Sequence, residues 1–496
     1  MKLSPIAGIG YLRGSLNSGK HHFYSLIITI IAVGFVFVPA GAWAVGDGEW
    51  ISELVWDFSY FPEDNGRSDI SNNSVLTYKA EYYEAWNDGA DSFVFVPMLH
   101  FDQSDPTLDV IEIAEASWIH VEGTWEVRTG IRQVSWGVVE SFQPVNIINQ
   151  TNFTGSFVNQ STLGQPMINF STVQDWGILD LYILFGFEEQ VLPGPDSRLA
   201  IPIELDEDET VFPRDDRQIQ GLDYAIRWQH SWDAFEWALS YFNGRSRDPD
   251  VDYNYDLTDS KIVATYHLVQ QVGLELLYIW NGWTFKFEAA AVDGQKERGR
   301  EFGVYTTAAA GVENSFNALF GSNIDLIWFV EYLYDQREDS LTAFFEHDVF
   351  AGGVFNFNDA KDTNIFTGAF WDVRDDEGIL VAQASRRLNQ SWKLSLTGAY
   401  FAVERKRPKE DIRQTNQAEF VDDITSEFTF LDESNLEKLL ESFSALVIQN
   451  GFDSQRVNDA LDELFLISEL AISEPDNKLG LLENESTIAI QLIHYF

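Results

Sequence analysis

Strict alternation of apolar and polar side chains is the dominant pattern along this chain. In the segment 125–133 the odd positions include Trp, Val, Thr and Ile, whereas the even positions carry Glu126, Arg128 and Arg132. The same period of two recurs at 221–229, 235–241, 283–288 and 325–334. Because successive side chains of a strand point to opposite faces, each segment has one apolar face and one charged face. The pattern predicts an all-β, antiparallel chain.

The composition of the two faces indicates a membrane barrel. Trp and Tyr stand near the ends of the apolar faces, and the opposite faces carry many charges. An apolar band between aromatic rims, with a polar opposite face, is typical of a transmembrane β-barrel with a wet interior. After residue 44, no apolar run reaches the ~20 residues that a membrane-spanning helix needs. We therefore expect a transmembrane antiparallel β-barrel in the outer membrane of a Gram-negative cell.

The alternating segments can be counted. Eighteen are marked: 50–61, 75–86, 92–103, 109–121, 125–137, 164–174, 177–188, 221–231, 234–243, 262–280, 283–293, 303–318, 323–335, 342–357, 362–372, 377–387, 391–404 and 485–496. Every second connection is short, whereas the long ones, 138–163, 189–220, 244–261 and 405–484, all fall at the other end. The predicted barrel has about 18 strands, and barrels of 16–18 strands leave an aqueous channel.

The first 44 residues have the order of a secretory signal. Three basic residues precede an uncharged apolar run at 24–39, which is followed by Ala42, Trp43 and Ala44. The small residues Ala42 and Ala44, at positions −3 and −1, favour cleavage after Ala44, so the mature barrel is expected to span 45–496. An uncleaved membrane anchor is the alternative, although the apolar run is short for a bilayer span.

Charge and cysteine content narrow the possible functions. The formal net charge is -46, and the chain contains no Cys. Such a polyanion gains nothing from counterion release on nucleic acid, so no nucleic-acid partner is expected. The lack of Cys excludes disulfides, Cys-ligated metals and a Cys nucleophile. The sequence also lacks a Gly-x-Ser-x-Gly elbow, a His-Glu-x-x-His pair and a phosphate-binding loop, so we expect neither an enzyme nor a cofactor.

Charged positions on the predicted inner face form a wall of mixed sign. The pore-lining candidates are Glu126, Arg128, Arg132, Asp223, Arg227, Lys286, Glu288 and Glu331. A mixed wall orients dipolar or hydrated solutes in the lumen. The alternative for each residue is a cross-strand ion pair that only holds the wall together. This alternative is weaker for Arg128 and Arg132, because both cannot pair with Glu126.

The segment 138–163 is rich in amide, hydroxyl and aromatic side chains. Phe142, Asn146, Asn149 and Phe153 are its constriction candidates. Such a segment suits an inward-folding loop that narrows the barrel and contacts a hydroxylated solute such as a sugar. An outer loop packed on itself is the alternative.

Three stretches of sequence resemble a known family. RTGIRQVSWG at 128–137, PVNIIN at 144–149 and WGILDL at 176–181 are similar to porin-like outer-membrane barrels of proteobacteria that are distantly related to alginate-export channels. The resemblance covers roughly residues 120–300 and the last strand. It implies a barrel channel, but it indicates little about the solute. One departure is Gln150, which follows Asn149 where the family has Pro.

The carboxyl end resembles the terminal strand by which outer-membrane barrels are recognised for insertion. Ile488, Ile490 and Leu492 alternate toward a terminal Phe496, the predicted insertion signal. His494 departs from this pattern, which usually has an apolar or aromatic residue there. The expected partners are the barrel assembly machinery, outer-membrane lipid and lipopolysaccharide.

Two predicted outer loops have unusual compositions. Asp250, Asp252 and Asp256 alternate in one loop, where they are candidates for weak surface Ca²⁺ binding, although the Gly and distal Glu of an EF-hand are missing. A solvated acidic face is the alternative. Within 405–484, two amphipathic stripes predict a helical hairpin in the last extracellular loop.

The leading functional hypothesis is a porin-like channel for passive diffusion of small hydrophilic solutes, such as sugars or organic ions. One alternative is a gated exporter of an acidic polysaccharide or lipid that works with a periplasmic partner. Another is a surface adhesin or assembly platform that the barrel only anchors. The oligomeric state is left open between monomer and trimer.

Overall fold

A computed structural model provides the structure of this protein. It describes residues 48–65, 68–152, 161–191, 193–194, 196–199, 204–205, 210–213, 222–254, 261–297, 300–301, 303–337, 343, 345–374, 377–403, 482 and 484–496. The predicted signal segment and nearly all of the predicted hairpin at 405–484 lie outside these residues.

Eighteen strands of eight to fifteen residues form one sheet. They are β1 (Glu49–Tyr60), β2 (Asn72–Trp86), β3 (Asp91–Asp102), β4 (Val110–Glu122), β5 (Trp125–Arg132), β6 (Gln165–Gln174), β7 (Gly177–Leu184), β8 (Asp223–Trp232), β9 (Phe235–Arg245), β10 (Leu268–Trp280), β11 (Trp283–Asp293), β12 (Tyr305–Phe316), β13 (Asp325–Asp335), β14 (His347–Asn356), β15 (Asn364–Asp372), β16 (Gly378–Arg387), β17 (Trp392–Ala402) and β18 (Thr487–Tyr495). Consecutive strands pair antiparallel, and β1 pairs with both β2 and β18. The sheet is therefore a closed barrel, which confirms the predicted fold class and strand number.

Shorter elements lie in the connections. The short strands are Thr151–Asn152, Ser161–Thr162, Glu204–Leu205, Asp250–Asn254, Lys261–Thr265, Lys296–Glu297 and Arg300–Glu301, and the 3-10 turns are Asn87–Gly89, Pro106–Leu108 and Leu319–Gly321. No helix among the described residues is both long and apolar enough to cross a membrane.

One predicted strand is divided in the structure. The alternation at 262–280 predicts a single strand, but Lys261–Thr265 pairs with Asp250–Asn254 in a separate small sheet, and β10 begins at Leu268. Alternation indicates that both pieces are extended but not which partner each one pairs with, so the division depends on tertiary structure.

The connections differ strongly between the two ends of the barrel. At one end, two-residue turns at 123–124, 175–176, 233–234 and 281–282 join neighbouring strands. Asn281 and Gly282 both have positive φ, 49° and 82°, which is the requirement of a tight type I′ hairpin turn. The long connections, including 133–164 and 185–222, lie at the other end.

The outer surface of the barrel is apolar and has an aromatic rim. Tryptophan side chains point outward near the short-turn end on many strands: Trp50, Trp86, Trp118, Trp125, Trp232, Trp237, Trp280, Trp283, Trp328 and Trp392. Leu239, Leu396 and Ile490 belong to the band above this rim and are all more than 40% exposed. A continuous exposed apolar band of this kind fits the hydrocarbon core of a bilayer.

Gly130 provides a test of this strand packing. It lies within β5 at φ 133°, and a Cβ at this position would be 2.0 Å from the carbonyl oxygen of Ala116. We expect Gly130→Ala to lower the free energy of unfolding by roughly 1–3 kcal/mol, because the side chain is strained in this conformation and collides with backbone. Urea titration of the refolded barrel, followed by Trp fluorescence and gel mobility, measures the change.

Gly398→Ala is the matched control. Gly398 also lies in a barrel strand, but its added Cβ would meet nothing within 4 Å. We expect the free energy of unfolding to change by less than about 0.5 kcal/mol in this variant. Equal losses in the two variants would contradict the steric account.

Candidate functional site

The described part of the connection between β5 and β6, residues 133–152 and 161–164, enters the interior of the barrel. Near β5, the backbone N–H of Val134 donates to Asn149 Oδ1 at 2.8 Å. A few residues later, the N–H of Glu140 donates to Oε1 of Glu331 on β13, also at 2.8 Å. Strands β5 and β13 lie on nearly opposite sides of the closed sheet. A segment that contacts both strands reaches them through the lumen, so the Glu331 side chain faces inward. The strand register then gives the inward-facing positions of all the other strands.

Two buried carboxylates bind the crossing segment. Glu288 on β11 accepts the backbone N–H groups of 138–139, the second at 2.8 Å. Glu331 accepts those of 140–141 at 2.8 and 2.9 Å, together with the hydroxyl of Ser141. The two glutamates are 0% and 1% exposed. Hydrogen bonds to a carboxylate are stronger than neutral ones, so these glutamates replace water for a stretch of backbone that has no strand partner.

Residues 145–148 of the loop are bound by side chains from the wall and from the end of the barrel that carries the long connections. Arg247 donates through Nε to the carbonyl of Ile147 at 3.0 Å and through Nη2 to that of Ile148 at 2.7 Å. Burial lowers the pKa of Arg247 to about 10, whereas the nearby carboxylate of Asp223 opposes this shift. The guanidinium therefore stays charged at neutral pH. Gln271 on β10 adds a bond from Nε2 to the carbonyl of Val145 at 3.0 Å.

The loop also buries apolar surface. Side chains from the loop and from seven consecutive strands, β6 to β12, form one cluster: Trp136, Val145, Ile147, Ile148, Met167, Tyr182, Leu184, Ala225, Phe242, Val269, Ala290, Val292 and Tyr305. Val145, Ile148 and Phe242 are completely buried. Removing this apolar surface from water stabilises the inward position of the loop. The lumen beside these strands is therefore filled by side chains.

The two arginines of β5 have different partners. Arg128 pairs with Glu126 on the same strand. Arg132 donates through Nη1 to Asn169 Oδ1 at 3.1 Å, and its Nε lies 3.9 Å from Glu115 Oε1. Asn169 is not among the candidates from sequence, because only the pairing of β5 with β6 brings it beside Arg132.

Arg227 and Lys286 belong to cross-strand ion pairs. Arg227 binds Glu275 in a bidentate manner at 2.8 and 2.7 Å, across the inner face from β8 to β10. Lys286 Nζ donates to Glu140 on the loop and to Glu313 on β12, each at 2.7 Å. Both cations are mostly buried, with side-chain exposures of 15% and 7%. Glu275 and Glu313 stand at inward positions of the same alternation and could have been found from it.

Asp223 is also used within the wall. It is 4% exposed, and its Oδ2 accepts the backbone N–H of Arg245 at 3.1 Å. It lies beside the guanidinium of Arg247, with Oδ2 3.9 Å from Nη1. This carboxylate therefore helps to position Arg247, which binds the loop carbonyls.

The constriction candidates predicted in the loop do not share one environment. The amides of Asn146 and Asn149 bind loop backbone: Asn146 Oδ1 accepts the N–H of Trp136 at 3.3 Å, and Asn149 Nδ2 donates to the carbonyls of Arg132 and Leu163, each at 2.8 Å. Phe142 is 42% exposed. Phe153 lies outside the described residues.

The structure describes only part of the group of carboxylates predicted to bind Ca²⁺. Asp250 Oδ2 lies 3.0 Å from His267 Nε2, and Asp252 lies on the short strand that Asp250 begins, whereas Asp256 is outside the described residues. Over the described ranges, no group of three or more His, Asp or Glu side chains is arranged to hold a metal ion.

The terminal residue lies at the seam of the barrel. The backbone N–H of Phe496 donates to the carbonyl of Ser52 on β1 at 2.9 Å, and its ring centroid is 4.3 Å from that of His494. The chain end is therefore bonded to the first strand.

Comparison with known proteins finds similar solved barrels. A BenF-like porin from Pseudomonas fluorescens Pf-5 has a TM-score of 0.44 at 8% identity, covering 91% of this chain and 98% of that one. A loop-deletion mutant of OmpT, an outer membrane protein of Vibrio cholerae, has a TM-score of 0.39 at 7% identity, covering 90% and 99%. A mutant of the Rh. blastica porin has a TM-score of 0.36 at 12% identity, covering 72% and 95%.

No protein-family model matches this chain, and neither does any curated protein. The resemblance to alginate-export channels therefore stays a prediction. Because the identities and TM-scores to the solved barrels are low, the functional conclusion below depends on the geometry of this chain alone.

Glu331→Gln tests the attachment of the loop. An amide retains only one oxygen for the three donors of 140–141 and places an NH₂ group against the others. We expect a loss of about 1–3 kcal/mol in the free energy of unfolding. We also expect faster proteolytic cleavage within 137–143.

Glu236→Gln is the control for this variant. Glu236 is also an inward-facing carboxylate, on β9, but it is exposed and far below the loop along the strand. Its replacement should leave both the unfolding free energy and the cleavage rate unchanged. If Glu331→Gln behaves like Glu236→Gln, the loop is not held by this carboxylate.

Proposed function

We propose that this protein is a porin-like outer-membrane channel for passive diffusion of small hydrophilic solutes. The observation that carries the proposal is a closed 18-stranded barrel with an apolar outer face, a charged inner face and a loop bound across its interior. Barrels of this size enclose a lumen too wide for wall side chains to fill. A loop attached inside then sets the size and chemistry of the passage.

Part of the charged interior is exposed to solvent. Several inward-facing charged side chains are substantially exposed: Glu140 at 49%, Arg128 at 33%, Glu115 at 28% and Glu313 at 27%. Charged groups remain in a barrel lumen at little cost only where water solvates them or a counter-charge pairs with them. Their exposure supports a hydrated passage beside the loop.

The outer-membrane location follows from the same proposal. The aromatic rim and apolar band suit a bilayer, and lipopolysaccharide, outer-membrane lipid and the barrel assembly machinery are the proposed partners. No cofactor is required for diffusion through a lumen. Monomer and trimer remain the two proposed assembly states.

The inner wall is predominantly acidic, and this bears on the type of solute. Inward-facing acidic residues outnumber the basic ones. The acidic positions include Glu49, Glu53, Asp57, Glu81, Glu115, Glu126, Asp180, Asp223, Glu236, Glu275, Glu288, Glu313, Asp325 and Glu331, and the basic positions are Lys79, Arg128, Arg132, Arg227, Lys286, Arg387 and Lys393. Such a lumen concentrates cations and repels anions. This favours neutral or cationic solutes, and it counts against export of an acidic polysaccharide.

Single-channel recording tests the channel function. We expect the refolded mature barrel to produce steady, ohmic conductance steps in a planar bilayer. A preparation that is folded by heat-modifiable gel mobility but silent in the bilayer would overturn the proposal. That result would favour the gated exporter or the surface adhesin.

Ion selectivity tests the charge of the lumen. Under a KCl gradient, we expect a reversal potential whose sign shows that K⁺ permeates more readily than Cl⁻. The double variant Glu81→Gln with Glu236→Gln removes two exposed inward carboxylates and should move this potential toward zero, because it lowers the local cation concentration. The effect should shrink at high salt, where charges are screened.

A double variant on the other face is the control for selectivity. Glu84 and Glu122 lie near the same end of the barrel, on β2 and β4, but at outward positions. Replacing both with Gln removes the same total charge. Equal shifts in the two double variants would show that the lumen wall does not set selectivity.

A further inference from the structure

The loop divides the barrel interior into two parts of different character. On the side of β6 to β12, the inward positions at mid-height are closed off. Ala238 and Glu275 are each 2% exposed, and Ser240 is 6% exposed. A Cβ placed at Gly273 would lie 2.3 Å from Ser240 Oγ and 3.1 Å from Cγ1 of Val145, so the loop covers this wall directly. These mid-height positions are therefore closed to a passing solute.

The opposite side of the interior has a different lining. On β16, β17, β18, β1 and β2, six polar side chains face inward near mid-height and are half-buried. Ser385 and Ser395 beside them are 8% and 4% exposed, and higher on β16 and β17 the inward apolar side chains pack against Leu199 and Leu482. We call the six half-buried side chains the polar track: Gln383, Thr397, Gln491, Asp57, Thr77 and Lys79. The strand register makes them neighbours, since Gln383 lies opposite Thr397 and Asp57 lies opposite Gln491. The track therefore extends across the seam that joins β18 to β1.

The hydrogen bonds of the polar track stay on the wall. Gln383 Nε2 donates to Thr397 Oγ1 at 3.2 Å, and Thr77 Oγ1 lies 3.0 Å from Nδ1 of His100 on β3. Within the described ranges, no residue of the connection 133–164 hydrogen-bonds to the track. Asp57 is hydrogen-bonded to Gln491 and accepts a bond from Ser59 Oγ at 3.2 Å. Among the described residues these partners all belong to the wall, so the lumen side of the track can exchange hydrogen bonds with a passing molecule.

From these contrasts, and resting on the channel function proposed above, we propose that the conducting path runs along the polar track. Solutes pass between the track and the exposed side of the loop. Amides and hydroxyls both donate and accept hydrogen bonds, so they replace the hydration of solutes that carry hydroxyl or amide groups. The surrounding acidic wall favours uncharged and cationic members of this class.

This path gives different roles to residues that the sequence groups together. Arg132 and Asp223 are 9% and 4% exposed, and their side chains face Asn169 and Arg247 rather than the solute. Gln383, Thr397 and Gln491 contact the solute and set which molecules pass.

The natural absence of cysteine makes a direct test possible. Thr397→Cys and Gln491→Cys place a thiol on the track, and Ser240→Cys places one on the inward face behind the loop. Each purified barrel is treated in the bilayer with a trimethylammonium-bearing or a sulfonate-bearing methanethiosulfonate. Conductance and the mass of the intact protein are both recorded.

We expect the two track thiols to react at least about tenfold faster than the thiol at 240, because a buried thiol is inert. Their modification should lower the single-channel conductance in steps, and the cationic reagent should react faster than the anionic one. In urea, where the barrel is unfolded, all three thiols should react equally. This control shows that each thiol is chemically reactive. Two track positions are used so that the test survives if one variant folds poorly.

The outcomes separate this inference from the channel function. If the unmodified barrel conducts but Ser240→Cys reacts as fast as the track thiols, the path is wrong and the channel function stands. The same holds if complete modification at both track positions leaves the conductance unchanged. If the unmodified barrel does not conduct at all, the channel function itself fails, and the path fails with it.

Discussion

The pairing of the first strand with the last is the interaction on which the rest of this structure depends. Residues 53–60 of β1 pair with 488–495 of β18, so no strand of the barrel has an open edge. An edge in contact with lipid would leave backbone N–H and C=O groups without partners, at a cost of several kcal/mol each. Closure also separates the two faces of every strand. One face can then be apolar and aromatic while the other carries charge.

The same requirement for backbone partners reappears inside the barrel. The loop crosses the lumen as irregular chain, and its N–H groups need acceptors where the wall excludes water. Glu288 and Glu331 supply these acceptors from β11 and β13, and Arg247 supplies donors for the carbonyls of the returning part. These charged groups are structural. Their arrangement explains how an inward loop keeps one position without forming a strand.

Loop attachment and passage use different sides of the lumen. Apolar packing fills the side of β6 to β12, where the Arg227–Glu275 and Lys286–Glu313 ion pairs also lie. The side that contains the β18 to β1 seam keeps half-buried amides, hydroxyls and exposed carboxylates. A charged residue on the inner face is therefore not automatically part of the pathway. Arg227 and Arg132 are mostly buried among their partners in the wall, whereas Gln491 and Thr397 have wall partners but stay half-buried.

The sequence by itself determined the strands, their inner and outer faces and the number of strands, because alternation with a period of two is a local property of each segment. It also placed Glu288 and Glu331 on the inner face, but not their task of binding the loop. The partner of Arg132, the separation of Lys261–Thr265 from β10 and the covering of Ser240 were decided only by the tertiary structure. Each of these depends on strand register or on the course of the loop. Both bring together residues that are far apart in sequence, and no local pattern records such pairings.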